Sequence, residues 1–414
     1  MASVSTEAPA APALLSPGRP GYRRLSLALF VAGIATFALL YSTQALLPAV
    51  SDGLRVSPGG ASWTVAAATG ALAVAVVPLS ALSERFGRRS MMTASLVVAV
   101  AVGLAVPFAP NLAVLIALRA VQGAALAGLP ASAMAFLAEE VDGRALVSAI
   151  GLFVAGNSIG GMSGRIFTGW MSQAWGWRAA LLAVGVAALA CAVVFRVLVP
   201  RARNFAPRPL RLGAFGRTLG GHLSNPLLLR LYAIGALFMV VFGGVYTVIG
   251  YRLVAAPFSL PQGVVGSVFV VYLVGTFTSA SSGRMAARLG RRGTLYAALA
   301  TTSAGLLVTL VDSIAAVIAG LVLITAGFFA GHSVASSSVS HTAKSGRAQA
   351  SALYQAAYYL GSSAGGAIGA AAFHSTGWAA TVVMGLAAMV GVAALTLYGT
   401  YAAKRAATAA PAPL

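Results

Sequence analysis

A short charged turn between two long apolar runs occurs twice in this chain. The first charged turn, residues 80–92, reads SALSERFGRRSMM, and the second, residues 283–292, reads GRMAARLGRR. Arg88 and Arg291 hold equivalent places in the two copies and lie about half of the 414-residue chain apart. A turn that recurs at the same place in each half indicates a duplicated domain, and this constrains the fold more than any other feature.

The apolar runs around the turns predict a membrane protein. The chain is 59% hydrophobic and only 8% charged, with a mean hydropathy of +0.89. Soluble proteins are nearer a quarter charged, so this chain has too few charges to solvate its surface in water. A helix that crosses a bilayer needs about 20 mostly apolar residues. Twelve such spans are predicted, at about 25–49, 61–82, 90–109, 112–137, 145–170, 177–199, 227–250, 262–282, 293–311, 314–340, 348–373 and 377–401.

These spans predict an all-α integral membrane fold with two six-helix bundles in parallel orientation, related by a pseudo-two-fold axis. The motif at Gly143-Arg144-Ala145 returns at Gly346-Arg347-Ala348, which supports the duplication. The predicted parts are a disordered tail (1–21), an N-terminal bundle (22–200), a linker (201–225), a C-terminal bundle (226–402) and a second tail (403–414).

The net charge of +20 is explained by topology rather than by nucleic-acid binding. Most of the 27 Lys and Arg residues fall in the tails and in alternate loops, and the other side holds Arg55, Arg178 and Arg252. This is the positive-inside asymmetry, which predicts both termini in the cytoplasm and a location in the inner (plasma) membrane.

Enzyme, metal and cofactor chemistry are not indicated. Cys191 is the only cysteine, and His332 and His341 would lie about 13 Å apart along a helix. A G-x-S-x-G pattern begins at Gly156 and again at Gly361. A hydrolase elbow requires a preceding strand and triad partners, so the repeated pattern is interpreted as helix packing. No Walker A sequence is present, which argues against direct use of ATP.

The charged turns resemble the loop between helices 2 and 3 of the major facilitator superfamily, G-x-x-x-D-R-x-G-R-R. Glu84 stands for the acid in the first turn, and Ala287 replaces it in the second. The residues that match the basic and glycine positions are Arg85, Gly87, Arg88, Arg89, Arg288, Gly290, Arg291 and Arg292. The resemblance covers nearly all of residues 22–402 and is greatest to drug/proton antiporters of the arabinose-efflux-permease-like group.

The resemblance implies that both turns form a cytoplasmic latch. In the family, the acid of the turn contacts the start of span 11 when the outside is open, which here is near Arg347. A carboxylate at a helix N-terminus contributes about 0.3–1 kcal/mol, and up to about 2 when partly buried. Ala287 implies that the mirror contact is missing in the second half.

Span 4 contains Arg119-Ala120-Val121-Gln122-Gly123, and R-x-x-Q-G resembles the family's helix-4 motif, whose Arg is linked to proton transfer. The alternative is that Arg119 caps backbone carbonyls of a broken neighbour, such as the region of Pro48. No acid lies in mid-membrane, so the candidate proton carriers are Asp52 near Arg119, or His332, whose unperturbed pKa of about 6.5 suits the role.

Glycines on spans 5 and 11 are predicted to let helices pack closely. They are Gly156, Gly160, Gly161, Gly164, Gly361, Gly365, Gly366 and Gly369. Span 5 matches the family's antiporter signature only in part, because Gly160-Gly161 replaces Gly-Pro and Gly164-Arg165 replaces Gly-Gly.

Polar and aromatic residues at helical spacing are candidates for a substrate cavity, although aromatic stripes also serve as ordinary core. The candidates are Tyr41, Gln44, Gln122, Asn157, Arg165, Phe238, Phe242, Tyr246, Phe328, His332, Tyr354, Gln355 and Tyr358. A cavity with arginine and no acid favours neutral or anionic solutes over cations.

The sequence thus predicts a monomeric secondary transporter whose partners are a small-molecule substrate, protons and the bilayer. Its halves alternately open a central site to either side. Proton-coupled efflux of a small organic molecule is the leading prediction. The alternative is a proton-coupled importer of a small neutral or anionic metabolite. A receptor would need a soluble output domain, and a channel would not need the repeated latch.

Overall fold

The computed structural model of the chain describes residues 14–205, 207 and 212–409, which are predominantly helical. The first half contains α1 (Pro20–Tyr41), α2 (Leu47–Leu54), α3 (Pro58–Phe86), α4 (Arg88–Ala105), α5 (Leu112–Leu126), α6 (Gly128–Glu140) and α7 (Gly143–Leu198). The rest contains α8 (Leu212–Leu223), α9 (Pro226–Val254), α10 (Gln262–Ser267), α11 (Tyr272–Val308), α12 (Ile314–Thr342), α13 (Arg347–Thr376) and α14 (Trp378–Ala409).

The predicted number of membrane crossings agrees with these helices. Within the described residues, nine helical segments are long and apolar enough to cross a membrane. Two of them, Gly143–Leu198 and Gln262–Val308, are 56 and 47 residues long and lose helical geometry at Gly176 and Gly290, so each supplies two crossings. With the 30-residue α13, the all-α fold of twelve crossings is confirmed.

Two predicted spans, each a single candidate crossing, contain a local interruption of the helix. Span 1 ends as α1 at Tyr41, passes through a 3₁₀ turn and resumes as α2. Span 4 is divided between α5 and α6 at Ala127. Pro48 and Pro130 lie in the first turns of α2 and α6, where proline is tolerated because an N–H at these positions has no acceptor within the helix.

Each half has its own hydrophobic core. One core is made mainly of residues between Leu25 and Val199, and the other mainly of residues between Leu228 and Val392. The packing within the halves is repeated as well. In the first half, a side chain added at Gly156 or Gly160 would collide with the α1 backbone at Phe30 or Ile34.

The second half repeats this packing between α13 and α9. A side chain at Gly361 or Gly365 would collide with the backbone at Ala236 or Val240. The same helix pairs are in contact at Gly164 in the first half and at Gly369 in the second. These close approaches explain the repeated glycine spacing, because only a residue without Cβ admits a neighbouring backbone so near.

Gly87 and Gly290 mark the same end of the two bundles, here named the turn end. Their φ angles are +93° and +71°, a left-handed region that glycine adopts without strain. Both turns therefore have the same unusual backbone, as their sequence repeat predicts. The other end of the bundles is named the opposite end.

Parts of the predicted linker and tails have regular structure or backbone hydrogen bonds. Residues 212–223 of the predicted linker form α8, and the His222 ring lies 3.1 Å from the Gly346 carbonyl oxygen. The predicted C-terminal tail is helical as far as Ala409. Leu15, from the predicted N-terminal tail, exchanges backbone hydrogen bonds with Glu140 and Asp142. The predictions for residues 1–13 and 410–414 lie outside the described residues.

Candidate functional site

A cavity of about 290 Å³ lies between the two halves. The first half contributes α1, α6 and α7 to its wall, and the second half contributes α9, α11, α12 and α13. Along α12, the wall passes from Phe328 through His332 to Ser336, towards the turn end. Met134 on α6 lines the same part of the cavity. The cavity therefore extends from the middle of the bundles towards the turn end.

Contacts between the halves close the cavity towards the opposite end. The Tyr251 hydroxyl lies 2.6 Å from Ser51 Oγ and 3.0 Å from the Leu47 carbonyl oxygen. Gln173 accepts a hydrogen bond of 2.8 Å from the backbone N–H of Gly263. Trp170 donates a bond of 2.9 Å to Ser267. These bonds join α2 to α9 and α7 to α10, on the side of the cavity that faces the opposite end.

Most residues predicted to line a cavity do so. The structure brings ten of them to one wall: Tyr41, Gln44, Asn157, Arg165, Phe242, Phe328, His332, Tyr354, Gln355 and Tyr358.

Three predicted cavity residues lie behind the wall instead. Gln122 is buried in the first half, where it accepts from Arg119 and donates to the Ala99 carbonyl. Phe238 packs against the backbone of α12 at Gly331. Tyr246 is bonded to Thr325 at 2.6 Å. Helical spacing places each on a buried face, but it does not distinguish a cavity wall from a contact between helices.

Sequence reasoning missed Tyr272 and Met134 on the wall, and Phe269 just behind it. Tyr272 begins α11 after a 3₁₀ turn, so no regular spacing connects it to the other aromatic residues of the second half. Gly161, which was predicted to serve helix packing, lies on the wall, and its carbonyl accepts a hydrogen bond from Arg165.

Arg165 is the charged residue of the wall and lies at its closed end. Its side chain is almost fully buried, with 2% of the residue exposed. Its Nε donates to Gln44 Oε1 at 2.7 Å, and Gln44 Nε2 donates in turn to Thr247 Oγ1 of the second half at 3.2 Å. The guanidinium carbon lies 4.1 Å from the ring centre of Tyr41. Arg165 thus connects the cavity to a hydrogen-bonded chain across the interface.

The second half contributes an aromatic cluster to the cavity. Phe242 and Phe328 are stacked with their ring centres 4.0 Å apart and 17° between ring planes. His332 lies parallel to Phe328 at 5.8 Å, and its Nδ1 is 2.9 Å from the Tyr354 hydroxyl. Tyr358 lies 4.7 Å from the His332 ring. The wall therefore combines flat apolar surface with hydroxyl and imidazole groups.

Arg119 lies inside the first half and not on the cavity wall. Its guanidinium donates to the carbonyl oxygens of Leu39 at 2.7 Å, Thr64 at 3.1 Å and Leu40. Leu39 and Leu40 belong to the last turn of α1, whose carbonyls lack the donors of a following helical turn. Ser42 also donates to the Leu39 carbonyl, through its backbone N–H and its hydroxyl. These contacts are those of the carbonyl-capping alternative, although they cap the end of α1 rather than the region of Pro48.

Asp52 does not form the predicted pair with Arg119. It lies on α2 at the opposite end, where its side chain is exposed, whereas Arg119 is fully buried. The physical reason is distance along the chain, because Arg119 binds the carbonyls of Leu39 and Leu40 at the end of α1, whereas Asp52 lies near the far end of α2. Of the two candidate proton carriers, only His332 is on the cavity wall.

The first charged turn forms ion pairs within its own half. Arg88 Nε donates to Glu139 Oε1 at 3.1 Å, and Arg88 Nη2 lies 3.9 Å from Glu84 Oε1. Arg85, two residues before Gly87, is exposed with its guanidinium 5.3 Å from the Phe86 ring centre. Arg89 is partly buried at the start of α4.

The second charged turn is more exposed. Arg288 and Arg291 are exposed, and Arg292 donates to the Gly399 carbonyl oxygen at 3.3 Å. The two turns therefore share a backbone but differ in their charge contacts.

Catalytic and metal-binding groups do not assemble in the part of the chain that the structure describes. No group of three or more His, Cys, Asp or Glu side chains could hold a metal ion there. The cavity wall contains Arg165 and His332 but no carboxylate.

Two repeated membrane bundles around a central cavity define a transporter of the alternating-access architecture. The chain belongs to the Major Facilitator Superfamily, whose family model matches residues 25–271. Because the family and the relatives are transporters, the predictions of membrane transport and of no enzymatic activity are confirmed.

Two curated relatives match along most of their length. The Uncharacterized MFS-type transporter YybF of Bacillus subtilis (strain 168) is 40% identical over 367 residues, which are 89% of this chain and 91% of the relative. The Inner membrane transport protein YnfM of Escherichia coli (strain K12) is 38% identical over 361 residues, 87% of each chain.

Solved structures share the fold at low sequence identity. A bacterial homolog to the human lysosomal transporter Spinster, in an inward-facing and occupied conformation, has a TM-score of 0.74 at 14% identity. That match covers 96% of this chain and 100% of the other. The nucleoside transporter NupG has a TM-score of 0.73 at 12% identity, covering 90% and 99%.

Proposed function

We propose that this protein is a secondary active transporter that exports a small organic molecule across the inner (plasma) membrane in exchange for protons. The observation that carries the proposal is the cavity between the two halves, closed towards one end by bonds between the halves and extending towards the other. A single site of this kind, opened alternately to either side, moves a solute without a continuous pore.

The basic loops favour a cytoplasmic location for the turn end and both termini. In that orientation, the structure corresponds to a state open to the cytoplasm, ready to load a molecule for export. The predicted bundles, 22–200 and 226–402, would move as units joined by residues 201–225, and a single copy contains the whole cavity. Accessibility of introduced cysteines to a membrane-impermeant reagent tests the orientation, and an extracellular terminus would contradict it.

The charged turns are proposed to alternate between two sets of contacts. In the present state, Arg88 holds Glu84 and Glu139 within the first half. When the opposite end opens, Glu84 is expected to reach the N-terminus of α13 beside Arg347, where the helix dipole favours a carboxylate. Crosslinking between cysteines at positions 84 and 347 should then increase. An unchanged yield on outward opening would contradict this switch.

His332 is the proposed proton carrier. It lies on the cavity wall beside Tyr354, where an imidazole nitrogen can accept and release a proton next to a bound substrate. A proton on His332 would add positive charge to a cavity that already contains Arg165. Proton uptake and release can thereby change the affinity for a substrate.

The test is flux in proteoliposomes with an imposed pH gradient, measured over a panel of small organic compounds. Export predicts that wild-type protein moves a compound against the proton flow, and that His332→Gln binds the compound but no longer responds to the gradient. Gradient-driven flux that persists unchanged in His332→Gln would remove His332 from the mechanism.

The alternative is a proton-coupled importer of a small neutral or anionic metabolite. Two observations keep it open: the partial match of residues 160–165 to the antiporter signature, and a cavity wall without a carboxylate. Movement of substrate and protons in the same direction in the proteoliposome assay would favour import over exchange. The same result would remove the protein from the antiporter group that the sequence resembles.

A further inference from the structure

We propose that Arg165 binds the carboxylate of an anionic substrate whose body is a flat aromatic or similarly apolar group. The inference rests on the proposed function of transport through this cavity. It assigns a substrate class and names the residue that selects it.

Arg165 has a charge that the protein does not neutralise. No carboxylate lies on the wall among the described residues, and the residue is 98% removed from solvent. Charged side chains at membrane depth are costly, by about 2.5–3.5 kcal/mol for an arginine at a helix centre, unless a partner or water compensates them. A negatively charged substrate would supply the missing partner whenever the site is loaded.

The hydrogen bonds of the guanidinium leave room for that partner. Nε donates to Gln44, and Nη1 donates to the Gly161 carbonyl. Nη2 donates to no residue in the described part of the chain. Guanidinium groups match carboxylates in geometry, because two parallel N–H groups meet two oxygens.

Aromatic rings hold the guanidinium in a fixed position. Its carbon lies 4.1 Å from the ring centre of Tyr41, 4.9 Å from that of Tyr272 and 5.0 Å from that of Phe269. Cation–π contacts of this kind stabilise the charge by roughly 0.5–2 kcal/mol each without neutralising it. The three rings restrict the approach of an anion to the cavity side.

The remainder of the cavity fits an apolar, flat group. Phe242 and Phe328 present a stacked pair, and Tyr358 and His332 continue this surface towards the turn end. The volume of about 290 Å³ is at the small end of ligand pockets. An aryl carboxylate can place its charge at Arg165 and its ring on this surface, whereas acetate has no ring to place there.

The test uses the full-length purified protein and three aryl carboxylates, namely benzoate, 3-phenylpropionate and 2-naphthoate. Each is compared with its uncharged primary amide, and acetate is the anion without a ring. Binding is measured by tryptophan fluorescence and by the shift in thermal unfolding midpoint. We expect at least one aryl carboxylate to bind ten or more times more tightly than both its amide and acetate.

Arg165→Gln should remove this preference, so that carboxylate and amide bind alike, and Arg165→Lys should retain part of it. The matched control is Arg178→Gln, which removes an arginine that stacks on Trp177 and donates to the Ala109 carbonyl, away from the cavity. This control should retain the wild-type preference, which excludes an effect of net charge alone.

Equal binding of carboxylates and amides to the wild type would overturn the proposal. This comparison uses wild-type protein alone, so it does not depend on the folding of a variant. An undiminished preference in folded Arg165→Gln would also overturn it. Acetate binding as tightly as the aryl carboxylates would refute the aromatic part. If neutral compounds cross proteoliposomes under a pH gradient while no carboxylate binds, transport stands and this substrate class fails. If a carboxylate binds tightly but no compound crosses the membrane, the substrate class stands and the proposed transport fails.

Discussion

Replacing Gly156 with alanine should destabilise the first half, because α1 and α7 are in backbone contact at this point. An added Cβ would lie 3.0 Å from the carbonyl carbon of Phe30 and nearer still to its oxygen. The obstruction is backbone, which cannot rotate away as a side chain can, so the two helices must separate. Overpacking of this kind costs about 1–3 kcal/mol.

The matched control is Gly151→Ala in the same helix, where an added Cβ meets nothing within 4 Å. Alanine favours a helix interior over glycine by up to about 1 kcal/mol, so the control should be as stable as the wild type or more stable. Both variants exchange glycine for alanine in a helix, so the difference between their free energies of unfolding cancels the effect of helix propensity. That difference should equal the overpacking cost at Gly156, and each 1.4 kcal/mol changes the unfolding equilibrium about tenfold.

The assay is reversible unfolding of purified protein in mixed detergent micelles, followed by tryptophan fluorescence. Gly361→Ala should show a similar loss in the second half, since its Cβ would lie 2.9 Å from the Ala236 carbonyl carbon. If Gly156→Ala is as stable as Gly151→Ala, the close approach of α1 and α7 is not a constraint in the folded protein, and the reading of the repeated glycines fails.

Other contacts give predictions of different size. Arg119→Met should lower the free energy of unfolding by about 1–3 kcal/mol, because buried carbonyls such as that of Leu40 lose a donor. Unchanged stability with lost proton coupling would instead support a role in proton transfer. Glu140→Ala should speed tryptic cleavage after Arg203, because the carboxylate accepts the Arg203 N–H at 2.7 Å; cleavage at the wild-type rate would refute this anchor. Asp312→Asn should change stability by less than about 1 kcal/mol, since its bond of 3.0 Å to Arg252 is made by a carboxylate that is 68% exposed, and a larger loss in the same unfolding assay would contradict this.

The features of the fold that follow from local sequence were predictable. The spacing of Gly156 and Gly160 recurs at Gly361 and Gly365, and both sets occur where a backbone approaches. The repeated charged turn predicted the division into two halves, because each turn needs a glycine at a backbone conformation that few other residues adopt without strain. Apolar length then determined the number of crossings.

The features that depend on contacts between distant segments were not predictable. Gln122 has the helical position of a cavity residue, but Arg119 orients it into the first half. Arg165 was predicted to line a cavity that lacks an acid, whereas two of the rings around it, Phe269 and Tyr272, come from the other half. No periodicity connects residues more than a hundred positions apart, so the arrangement of these rings becomes visible only in three dimensions.

The breaks inside spans 1 and 4 lie between these cases. The region of Pro48 was considered as a broken helix because proline removes a helical hydrogen bond, whereas Pro130 was not singled out. The sequence nevertheless stays apolar through both breaks. A prediction based on apolar length therefore treats each pair of helices as one span. The carbonyls exposed where α1 ends are the ones that Arg119 binds, and the break and the buried arginine therefore depend on each other.

The unequal charges of the two turns have a consequence for engineering. Gly87 and Gly290 share one backbone conformation, but within the residues that the structure describes an arginine is paired with carboxylates only around the first glycine. Arg288 and Arg291 are open to solvent. The second copy thus retains the bend without a carboxylate ion pair in the described part of the chain. An epitope or fluorophore for imaging grafted before Gly290 would have no such pair to break, whereas the same insertion before Gly87 would separate Glu84 from Arg88.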